Sequence, residues 1–325
     1  MKFCIIGCGL IGRKRAFSIS KEHQISCVVD NKIELAKDLS EKFNNCTFTN
    51  DWKEAIRSNL SEVIIIALPH DLLQTVSIFA LENNKPIFIE KPGAINAIKL
   101  KKILEISMKK NLTVKIGYNH RFHPALIKAK ELIDENLIGS LMYVRGRYGH
   151  GGRLGYEKEW RSNKSISGGG ELLDQGSHLI DLSIMFLGEF KKIQGNISNF
   201  YWKMNVEDNA FIFLETNDGK TAWLHASWTE WKNLFSFEIF GEKGKIQIDG
   251  LGGSYGTEKI TLYKMLPELG PPETTSWEFP FHDKSWNLEI ENFIDAIKNG
   301  KNKNGNLDEA ISVLEIIEEI YKKNP

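Results

Sequence analysis

The six residues Gly7–Gly12, "GCGLIG", decide the fold of the N-terminal part of the chain. They follow a short apolar run, Lys2–Gly7, that is typical of a β-strand, and they open a segment, Leu10–Lys21, with the spacing of an α-helix. Glycines in the spacing G-x-G-x-x-G allow a tight turn and let a pyrophosphate approach the backbone, while the N-terminus of the helix offers free N–H groups. The stretch predicts a phosphate-binding turn, and its alternative is a plain tight turn.

Asp30 stands at the end of the second apolar run, 18 residues after Gly12. In a dinucleotide-binding unit, an acidic residue at this point accepts hydrogen bonds from the adenosine ribose. A carboxylate would also repel a 2′-phosphate, so NAD is favoured over NADP. Arg13, Lys14 and Arg15 on the first helix could reach phosphates, and their alternative is to be solvated surface charges. The cofactor contacts predicted for this region are Gly7, Gly9, Leu10, Ile11, Gly12 and Asp30.

The first 120 residues alternate strand-like and helix-like segments. The predicted strands are 2–7, 25–30, 63–68, 86–90 and 112–117, and the predicted helices are 10–21, 33–43, 72–83 and 98–109. The run Val63–Leu68, "VIIIAL", is apolar throughout, which is typical of a central parallel strand covered on both faces. Repeated β-α units of this size predict an α/β fold with a doubly wound parallel sheet.

The rest of the chain has a different pattern. Strand-like runs follow one another between residues 192 and 248 with few helices between them, and "GEKG" (Gly241–Gly244) is typical of a hairpin turn. This order predicts an α+β domain with a large, open, mostly antiparallel sheet. Helical periodicity returns at Asn287–Lys298 and Leu307–Lys322, with a polar loop at 299–306 between them. We therefore expect two domains, at residues 1–120 and 121–325.

The composition argues against several classes of partner. The 325 residues include 42 Lys and Arg and 42 Asp and Glu, so the zero net charge argues against bulk nucleic acid or an anionic membrane surface. A run of about 18 apolar residues, which a transmembrane helix needs, is absent. The four cysteines, Cys4, Cys8, Cys27 and Cys46, form no CxxC pair, so we expect reduced thiols in a cytoplasmic protein, and no metal site.

A second stretch, "GGGELLDQGSHLID" (Gly168–Asp181), carries polar residues at helical spacing. Asp174, His178 and Asp181 lie at i, i+4 and i+7, so on an α-helix they share one face within an arc of about 60°. The glycines in front would leave the N-terminus of the helix open to a substrate or cofactor. The alternatives are a local Asp–His hydrogen bond and a zinc site, for which the sequence offers no further cluster of ligands.

A lysine follows another predicted strand. The run "IEKPGA" (Ile89–Ala94) places Lys91 directly after the strand at 86–90, and ligands of parallel sheets bind at the carboxyl ends of the strands. Lys91 can therefore face the nicotinamide end of a cofactor, whereas a lone lysine at a strand end is otherwise a surface charge.

Four blocks, "GCGLIG", "EKPGA", "GYNHRFHP" (117–124) and "GGGELLDQGSHLID", together resemble the glucose–fructose oxidoreductase / inositol dehydrogenase / MocA family in order and spacing, over essentially the whole chain. The resemblance implies an N-terminal Rossmann domain and a C-terminal domain with a large open sheet. It also implies an oxidoreductase that acts with NAD on a secondary alcohol of a sugar, polyol or sugar nucleotide. A homodimer or homotetramer would form through that sheet, where Trp202, Trp223, Trp228 and Trp231 offer aromatic surface.

Lys91, Asp174 and His178 match the family's catalytic positions. The match implies that Lys91 or His178 accepts the hydroxyl proton, with the choice left open, and that Asp174 binds a second hydroxyl or orients His178. Asp181 would support the site. The further cofactor contacts implied are Leu68, Pro69, Glu90, Lys91 and Asn119. The chain departs from the family at Pro69–Leu73, where members often carry a P-N-x-x-H-like run and this sequence has no histidine at its end.

The segment 147–170 is rich in glycine, aromatic residues and arginine, and it precedes the predicted catalytic helix. Arginines pair with phosphate or carboxylate and aromatic rings stack on sugar faces, so the segment predicts a loop over a sugar-nucleotide or acidic-sugar substrate. Its alternative is an interface loop. The predicted substrate contacts are Lys91, Arg121, Tyr148, Arg153, Tyr156, Trp160, Arg161, Asp174 and His178.

Two rivals remain beside an NAD-dependent sugar or polyol dehydrogenase. One is a non-catalytic NAD-binding regulatory protein of the same fold, against which the joint presence of Lys91, Asp174 and His178 argues. The other is an NADP-linked reductase of a ketone or imine, against which Asp30 argues.

Overall fold

The computed structural model describes residues 1–268, 270–300 and 307–324. Contacts between Cα atoms divide the chain into two compact units, Met1–Tyr118 with Trp286–Ile311, and Asn119–Ser285 with Ser312–Pro325. Most of the polar loop predicted at 299–306 lies outside the described residues. Among the described residues, no helix is long and apolar enough to cross a membrane.

The first unit contains a six-stranded sheet in which every pair of neighbours is parallel. Its strands are β1 (Lys2–Ile6), β2 (Gln24–Val29), β3 (Thr47–Thr49), β4 (Val63–Ile66), β5 (Ile87–Glu90) and β6 (Val114–Gly117). They lie in the order β3-β2-β1-β4-β5-β6. All four residues of β4 are buried, as expected of a strand with helices on both faces.

Ten α-helices occur in the described parts of the chain. They are α1 (Leu10–Ser18), α2 (Ile33–Ser40), α3 (Trp52–Arg57), α4 (His70–Glu82), α5 (Ala97–Lys110), α6 (Pro124–Asp134), α7 (Lys164–Ser167), α8 (Ser177–Leu187), α9 (Ser285–Asn299) and α10 (Leu307–Lys323). In the first unit, α1 follows β1 and α4 follows β4, on the two sides of the point where the strand order reverses. Ligands of doubly wound sheets bind at that point, beyond the carboxyl ends of the strands.

Most of helix α9 belongs to the first unit, although the sequence analysis assigned its residues to the second domain. Ile290, Phe293 and Ile294 join the apolar cluster of the parallel sheet, which includes Phe3 and Phe88. An amphipathic helix buries its apolar face on whichever sheet offers one, and helical periodicity alone does not reveal which sheet that is.

The second unit contains an eight-stranded sheet. Its strands are β7 (Leu141–Gly149), β8 (Phe190–Ser198), β9 (Asn209–Thr216), β10 (Thr221–Ser227), β11 (Leu234–Gly241), β12 (Gly244–Asp249), β13 (Glu258–Lys264) and β14 (Glu273–Phe279), in the order β14-β13-β12-β11-β7-β10-β9-β8. Only β7 and β10 pair in parallel, and the other neighbours are antiparallel. Strands β11 and β12 form a hairpin at the predicted turn, Gly241–Gly244. The two sheets confirm the predicted fold class.

The stretch that carries Asp174, His178 and Asp181 is not one continuous α-helix as predicted. A π-helical segment, Leu172–Gly176, precedes α8, so Asp174 lies in a turn of different width from the helix that carries the other two side chains. Because a π-turn closes hydrogen bonds from i to i+5, the angle of about 100° per residue does not hold across it. Single π-turns inside helices are frequent at functional sites.

Candidate active site

The glycine turn after β1 contains two glycines that the chain itself requires. Gly7 has a φ of +99°, and a Cβ there would lie 2.1 Å from the carbonyl oxygen of Ala67. A Cβ at Gly12 would lie 1.7 Å from the carbonyl oxygen of Gly7. Neither position accepts a side chain, because ordinary contacts of a Cβ begin at 3.4 Å. The close packing of α1 against the ends of β1 and β4 therefore depends on these two residues.

Gly9 differs from the other two glycines of the turn. Its φ is −70°, which any residue adopts, and a Cβ there would meet no heavy atom within 4 Å. Gly9 is also the N-cap of α1, which has no side-chain cap and no acidic residue in its first turn. The space over Gly9 at the positive end of this helix is thus open, and the first turn of the helix carries no carboxylate. Such a cradle fits the pyrophosphate of a dinucleotide.

Asp30 follows β2 and is half-buried. Its Oδ2 accepts a hydrogen bond of 2.7 Å from the backbone N–H of Cys8, and its Oδ1 accepts one of 2.9 Å from the backbone N–H of Lys32. The carboxylate thereby joins the end of β2 to the glycine turn. Arg13, one of the three cations near the turn, pairs instead with Asp38 at 2.6 Å.

The residues predicted after β4 lie beside the same turn. Pro69 is the N-cap of α4, and a side-chain carbon of Leu68 lies 3.3 Å from the position of a Cβ on Gly7. Leu10, in the first turn of α1, is 72% exposed, so its apolar side chain is available to a ligand. These three predicted contacts and Gly9 thus belong to one region of the first unit.

Lys91 is half-buried, follows β5 directly and is joined to Pro92 by a cis peptide bond. Its neighbour Glu90 does not match its predicted role as a cofactor contact. The Glu90 carboxylate is buried and accepts a hydrogen bond from Nε of Arg15, and Nη1 of Arg15 also donates to Glu289 at 2.7 Å. The buried arginine occupies this carboxylate because a charge removed from water needs paired, hydrogen-bonded partners.

Arg15 is therefore neither a phosphate ligand nor a surface charge. It is fully buried, and its guanidinium carbon lies 4.3 Å from the ring centres of both Phe88 and Trp286. The ion pair with Glu289 brings α9 to α1 within the first unit. Burial raises the pKa of the Glu289 carboxyl to about 7.

In the second unit, the three polar residues of the "GGGELLDQGSHLID" stretch have three different neighbours. Oδ2 of Asp174 accepts a hydrogen bond of 3.2 Å from Nε of Arg161. The ring of His178 stacks on the ring of His120 with centroids 3.7 Å apart. Asp174 is half-buried, whereas His178 is 5% exposed and Asp181 is fully buried.

Arg121 forms the buried partner of Asp181, which does not match its predicted role as a substrate contact. Its Nε and Nη2 donate to the two carboxylate oxygens of Asp181 at 2.8 and 2.7 Å, and both side chains are at most 4% exposed. A bidentate pair of this kind is rigid and holds the start of the second unit to α8. Asn119 donates from Nδ2 to Oγ of Ser285 at 2.9 Å.

The glycines before the π-helical segment were predicted to leave the N-terminus of the helix open to a substrate or cofactor. Instead, Gly169 and Gly170 allow other parts of the chain to pack closely against the backbone. A Cβ at Gly169 would lie 1.9 Å from the hydroxyl of Tyr321, and one at Gly170 would lie 2.1 Å from the carbonyl oxygen of Glu207. Oε1 of Glu207 accepts from the N–H groups of Gly170 and Leu172 at 3.0 and 3.1 Å, and from the Tyr321 hydroxyl at 2.8 Å. These contacts fix the backbone that precedes Asp174.

Sequence reasoning missed Glu207, since nothing near it in the sequence marks it as a cap. Its buried carboxylate replaces the usual side-chain cap of the segment, and burial raises its pKa. The only signal was an acidic residue between two strand-like runs, which is common in loops.

The predicted substrate loop divides into packed and exposed residues. Tyr156 is 3% exposed and packs edge-on against Trp228 at 5.0 Å, so it forms part of an aromatic cluster and does not match its predicted role. Arg153 is largely exposed and pairs with Glu159 at 2.6 Å. Arg161 lies over the ring of Trp160 at 4.5 Å while it binds Asp174.

Tyr148, at the end of β7, lies beside the stacked histidines. Its ring centre is 5.1 Å from that of His120 and 6.2 Å from that of His178. Tyr255 and Gln175, which sequence reasoning did not select, complete this cluster. Tyr255 lies in a glycine-rich loop far along the chain, so no local spacing connects it with the others.

The metal-ligating residue types form no further site in the part of the chain that the structure describes. No group of three or more His, Cys, Asp or Glu residues there is placed to hold a metal ion. All four cysteines are free thiols, of which Cys46 is half-buried and the other three are buried.

Two family models match the chain. The first, described as an oxidoreductase family with an NAD-binding Rossmann fold, matches residues 1–118, and the second, described as a GFO/IDH/MocA C-terminal domain, matches residues 126–247. The chain is 24% identical to scyllo-inositol 2-dehydrogenase (NAD(+)) of Bacillus subtilis over 93% of this chain and 87% of that protein.

A second relative is levoglucosan dehydrogenase of Pseudarthrobacter phenanthrenivorans, which is 32% identical over 51% of this chain. That match spans 43% of the relative's own length. A solved structure of levoglucosan dehydrogenase in complex with NADH and L-sorbose has a TM-score of 0.88 and 22% identity, and covers 99% of this chain and 96% of its own. At that identity the likeness shows the fold.

Proposed function

The chain belongs to the GFO/IDH/MocA oxidoreductase family, and on that premise we propose that it is an NAD-dependent dehydrogenase of a secondary alcohol in a sugar, polyol or sugar nucleotide. The reaction can run in either direction. The observation that carries the cofactor assignment is the open cradle at Gly9, where a Cβ would meet no heavy atom of the described residues within 4 Å.

NAD, when bound, accepts the hydride that leaves the carbinol carbon. The residues proposed to hold it are those of the glycine turn, with Asp30 on the adenosine ribose and Leu10, Ile11, Leu68, Pro69 and Asn119 as further contacts. Lys91 would lie at the nicotinamide end, because it follows the strand next to β4 at the carboxyl edge of the sheet. Glu90 is left out of this set, since Arg15 occupies its carboxylate.

The proton of the alcohol needs a base as the hydride leaves. We assign that role to Lys91 or His178 and the orientation of a second hydroxyl to Asp174. The stacked His120 limits the freedom of the His178 ring, and Arg161 holds Asp174 at 3.2 Å. Because the positions of the His178 and Asp174 side chains are restricted in this way, they favour a substrate that offers two neighbouring hydroxyls. Tyr148, Trp160 and Arg161 remain proposed substrate contacts, and Arg153 is exposed enough to serve as one.

The regulatory rival predicts cofactor binding without turnover. The NADP-linked reductase alternative predicts that the protein prefers NADP over NAD. The negative charge of Asp30 argues against this preference, because it would repel the 2′-phosphate of NADP. A relative named as an NAD(+) enzyme and a structure of the same fold in complex with NADH support NAD over NADP.

The test is NADH formation, or its consumption with the ketone, over a panel of free sugars, inositols, anhydrosugars and nucleotide sugars. Wild type is compared with Lys91→Ala and with Lys130→Ala, which replaces an exposed lysine of α6, as a surface control. We expect one chemical class to reduce NAD, with at least a hundredfold loss in Lys91→Ala and little change in the control. Binding of NADH without turnover of any compound in either direction would support the regulatory rival.

We also propose that copies of the chain associate through the second sheet and that the protein is cytoplasmic. Trp223 is 63% exposed on β10, close to the exposed Phe211 on β9, and such an apolar surface supports association of two copies through this sheet. Trp228 is fully buried and takes no part in that surface. Four free cysteines support a cytoplasmic location. A Trp223→Ser variant that sediments like the wild type would count against the proposed sheet interface.

A further inference from the structure

Three side chains from distant parts of the sequence lie together in the second unit. Gln175 lies in the π-helical segment directly after Asp174, Tyr148 is the next-to-last residue of β7, and Tyr255 lies in the loop between β12 and β13. Nε2 of Gln175 donates to the Tyr255 hydroxyl at 2.9 Å. The rings of Tyr148 and Tyr255 pack with their centres 5.0 Å apart.

The Tyr255 hydroxyl has a proton left to donate. A tyrosine hydroxyl both accepts and donates, and the Tyr255 oxygen already accepts from Nε2 of Gln175. Among the described residues, no acceptor receives the hydroxyl proton of Tyr255. This O–H group is therefore available to something outside the chain.

The same cluster also contains a hydrogen-bond acceptor that has no donor. Gln175 is 6% exposed, and its Oε1 has no hydrogen-bond partner among the described residues. A buried carbonyl oxygen without a donor is costly, so native proteins almost always satisfy one. Since Nε2 and Oε1 of one amide are ~2.3 Å apart, this acceptor lies within about 5 Å of the Tyr255 hydroxyl. The free acceptor of Gln175 and the hydroxyl donor of Tyr255 thus lie close together.

This region adjoins the proposed catalytic residues. The Tyr148 ring centre is 6.2 Å from that of His178, and Gln175 follows Asp174 in the sequence. Both phenols keep their protons at neutral pH, because burial raises the pKa of Tyr255 to about 12 and also raises the pKa of Tyr148. The donor is therefore present under working conditions.

The loop that carries Tyr255 is built for a fixed conformation. Gly250 has a φ of +74°, and a Cβ there would lie 2.3 Å from the carbonyl oxygen of Thr257. Glu258, at the end of the loop, accepts from the backbone N–H of Ala125 at 2.7 Å and contacts Nδ1 of His123 at 2.9 Å. These contacts hold the loop to the start of α6 and keep Tyr255 in place.

We infer that Gln175, Tyr148 and Tyr255 form a subsite for one alcohol hydroxyl of the substrate other than the one that is oxidised. An alcohol both donates and accepts, so a single hydroxyl satisfies Gln175 Oε1 and the spare tyrosine proton together. A ketone or ether oxygen satisfies only the donor, and an apolar group satisfies neither. The inference rests on the proposed function, and it makes the substrate a polyol whose extra hydroxyl is required for binding.

The first experiment measures binding rather than turnover. Levoglucosan, myo-inositol, scyllo-inositol and methyl β-D-glucopyranoside are titrated calorimetrically into the full chain saturated with NADH. The monodeoxy analogues of the tightest binder are then titrated into wild type, Tyr255→Phe and Gln175→Leu, with Ser254→Ala as the matched control. Ser254 is the exposed neighbour of Tyr255, and its side chain makes no contact with the cluster.

We expect Tyr255→Phe and Gln175→Leu to bind the parent polyol about 10-fold more weakly, and Ser254→Ala to bind it like wild type. One monodeoxy analogue should bind wild type about 10-fold more weakly and bind the two variants no worse than wild type, because the missing hydroxyl is the one that the subsite holds. Gln175→Leu should keep the thermal stability of wild type within a few degrees, so it carries the test even if Tyr255→Phe does not fold.

The inference would be overturned if the two variants bound every analogue more weakly than wild type by the same factor. It would also be overturned if both variants bound the parent polyol with wild-type affinity, or if the protein bound no polyol. Turnover is measured separately on the same compounds. If the analogue pattern appears and NAD is not reduced by any of them, the subsite stands and the dehydrogenase assignment fails. If NAD is reduced and the analogue pattern is absent, the assignment stands and the subsite fails.

Discussion

Replacing Gly9 by alanine should separate cofactor binding from folding. Gly9 and Gly12 lie three residues apart in the same turn, yet the chain requires only Gly12. A methyl group on Gly9 meets nothing within 4 Å, whereas one on Gly12 would lie 1.7 Å from the carbonyl oxygen of Gly7. If a pyrophosphate occupies the space over Gly9, the first substitution should impair binding alone and the second should impair the fold.

The magnitudes follow from these distances. Gly9→Ala loses a favourable N-cap residue but also stiffens the unfolded chain, and these effects of ~0.5–1 kcal/mol oppose each other, so stability should change by less than about 1 kcal/mol. Gly12→Ala must move backbone by about 1.7 Å to reach ordinary contact at 3.4 Å, and overpacking of that kind costs about 3 kcal/mol or more. A methyl group against the pyrophosphate should cost ~1.4–3 kcal/mol of binding, or about 10- to 150-fold in Kd.

Urea unfolding without cofactor and calorimetric titration with NADH measure the two quantities on the same preparations. The reasoning requires that Gly9→Ala unfold with the wild-type midpoint and bind NADH at least tenfold more weakly. Wild-type affinity in Gly9→Ala would refute the assignment of the cradle. A loss of more than about 2 kcal/mol of stability would refute the claim that the space over Gly9 is open.

Three further predictions address charge and buried hydrogen bonds. Asp30→Asn should reduce the preference for NAD over NADP by about tenfold in Kd, because the negative charge that repels a 2′-phosphate by ~1 kcal/mol or more is gone. Tyr321→Phe should lower the free energy of unfolding in urea by about 1–3 kcal/mol, since it removes the hydrogen bond to buried Glu207. Glu289 has a folded pKa of about 7 against an ordinary 4.5, so the folded state holds the extra proton and wild type should lose stability as pH rises from 4.5 to 7. Glu289→Gln should flatten that slope in urea unfolding at several pH values.

Each of these has a result that would count against it. Unchanged cofactor selectivity in Asp30→Asn would mean that the carboxylate serves only the backbone N–H groups of Cys8 and Lys32. Wild-type stability of Tyr321→Phe would mean that water replaces the phenol at Glu207. An unchanged pH slope in Glu289→Gln would place the titration elsewhere in the chain.

The parallel sheet was predictable because its signals are local. Each strand of "VIIIAL" type lies within six residues of sequence, and the glycine turn joins a strand and a helix that are neighbours in the chain. The helix at Ser285–Asn299 was predictable as a helix, but its unit was not. Its hydrogen bond with Arg15 joins residues 274 positions apart, and its ring contact with Phe88 of the parallel sheet also joins distant parts of the sequence.

The polar stripe on "GGGELLDQGSHLID" illustrates a different limit. The spacing of Asp174, His178 and Asp181 assumed a uniform helix, whereas the π-helical segment changes the angle between the first residue and the other two. The extra residue in that turn is stabilised by Glu207 and Tyr321 from other elements, which the local sequence does not contain. Asp181 was predictable as polar but not as the buried partner of Arg121, 60 residues away.

Some residues that were predicted to bind a ligand bind other residues of the chain instead. Arg15 and Glu90 were read as groups for a ligand, and each is used within the chain, because a fully buried arginine needs carboxylates close by. Tyr156 was read as a sugar platform and packs against Trp228 instead. Residue type indicates what a side chain can bind, whereas burial decides whether a ligand can reach it.

The most direct test of the central claim is the fate of the hydrogen on the oxidised carbon. The compound of the panel that reduces NAD is prepared with deuterium on every carbinol carbon and incubated with the protein and NAD, and the cofactor is analysed by NMR at C4 of the nicotinamide. We predict one deuterium at C4 in wild type and no reduced cofactor in Lys91→Ala. Reduced cofactor without deuterium, or no reduction by any compound of the panel, would contradict the proposed hydride transfer.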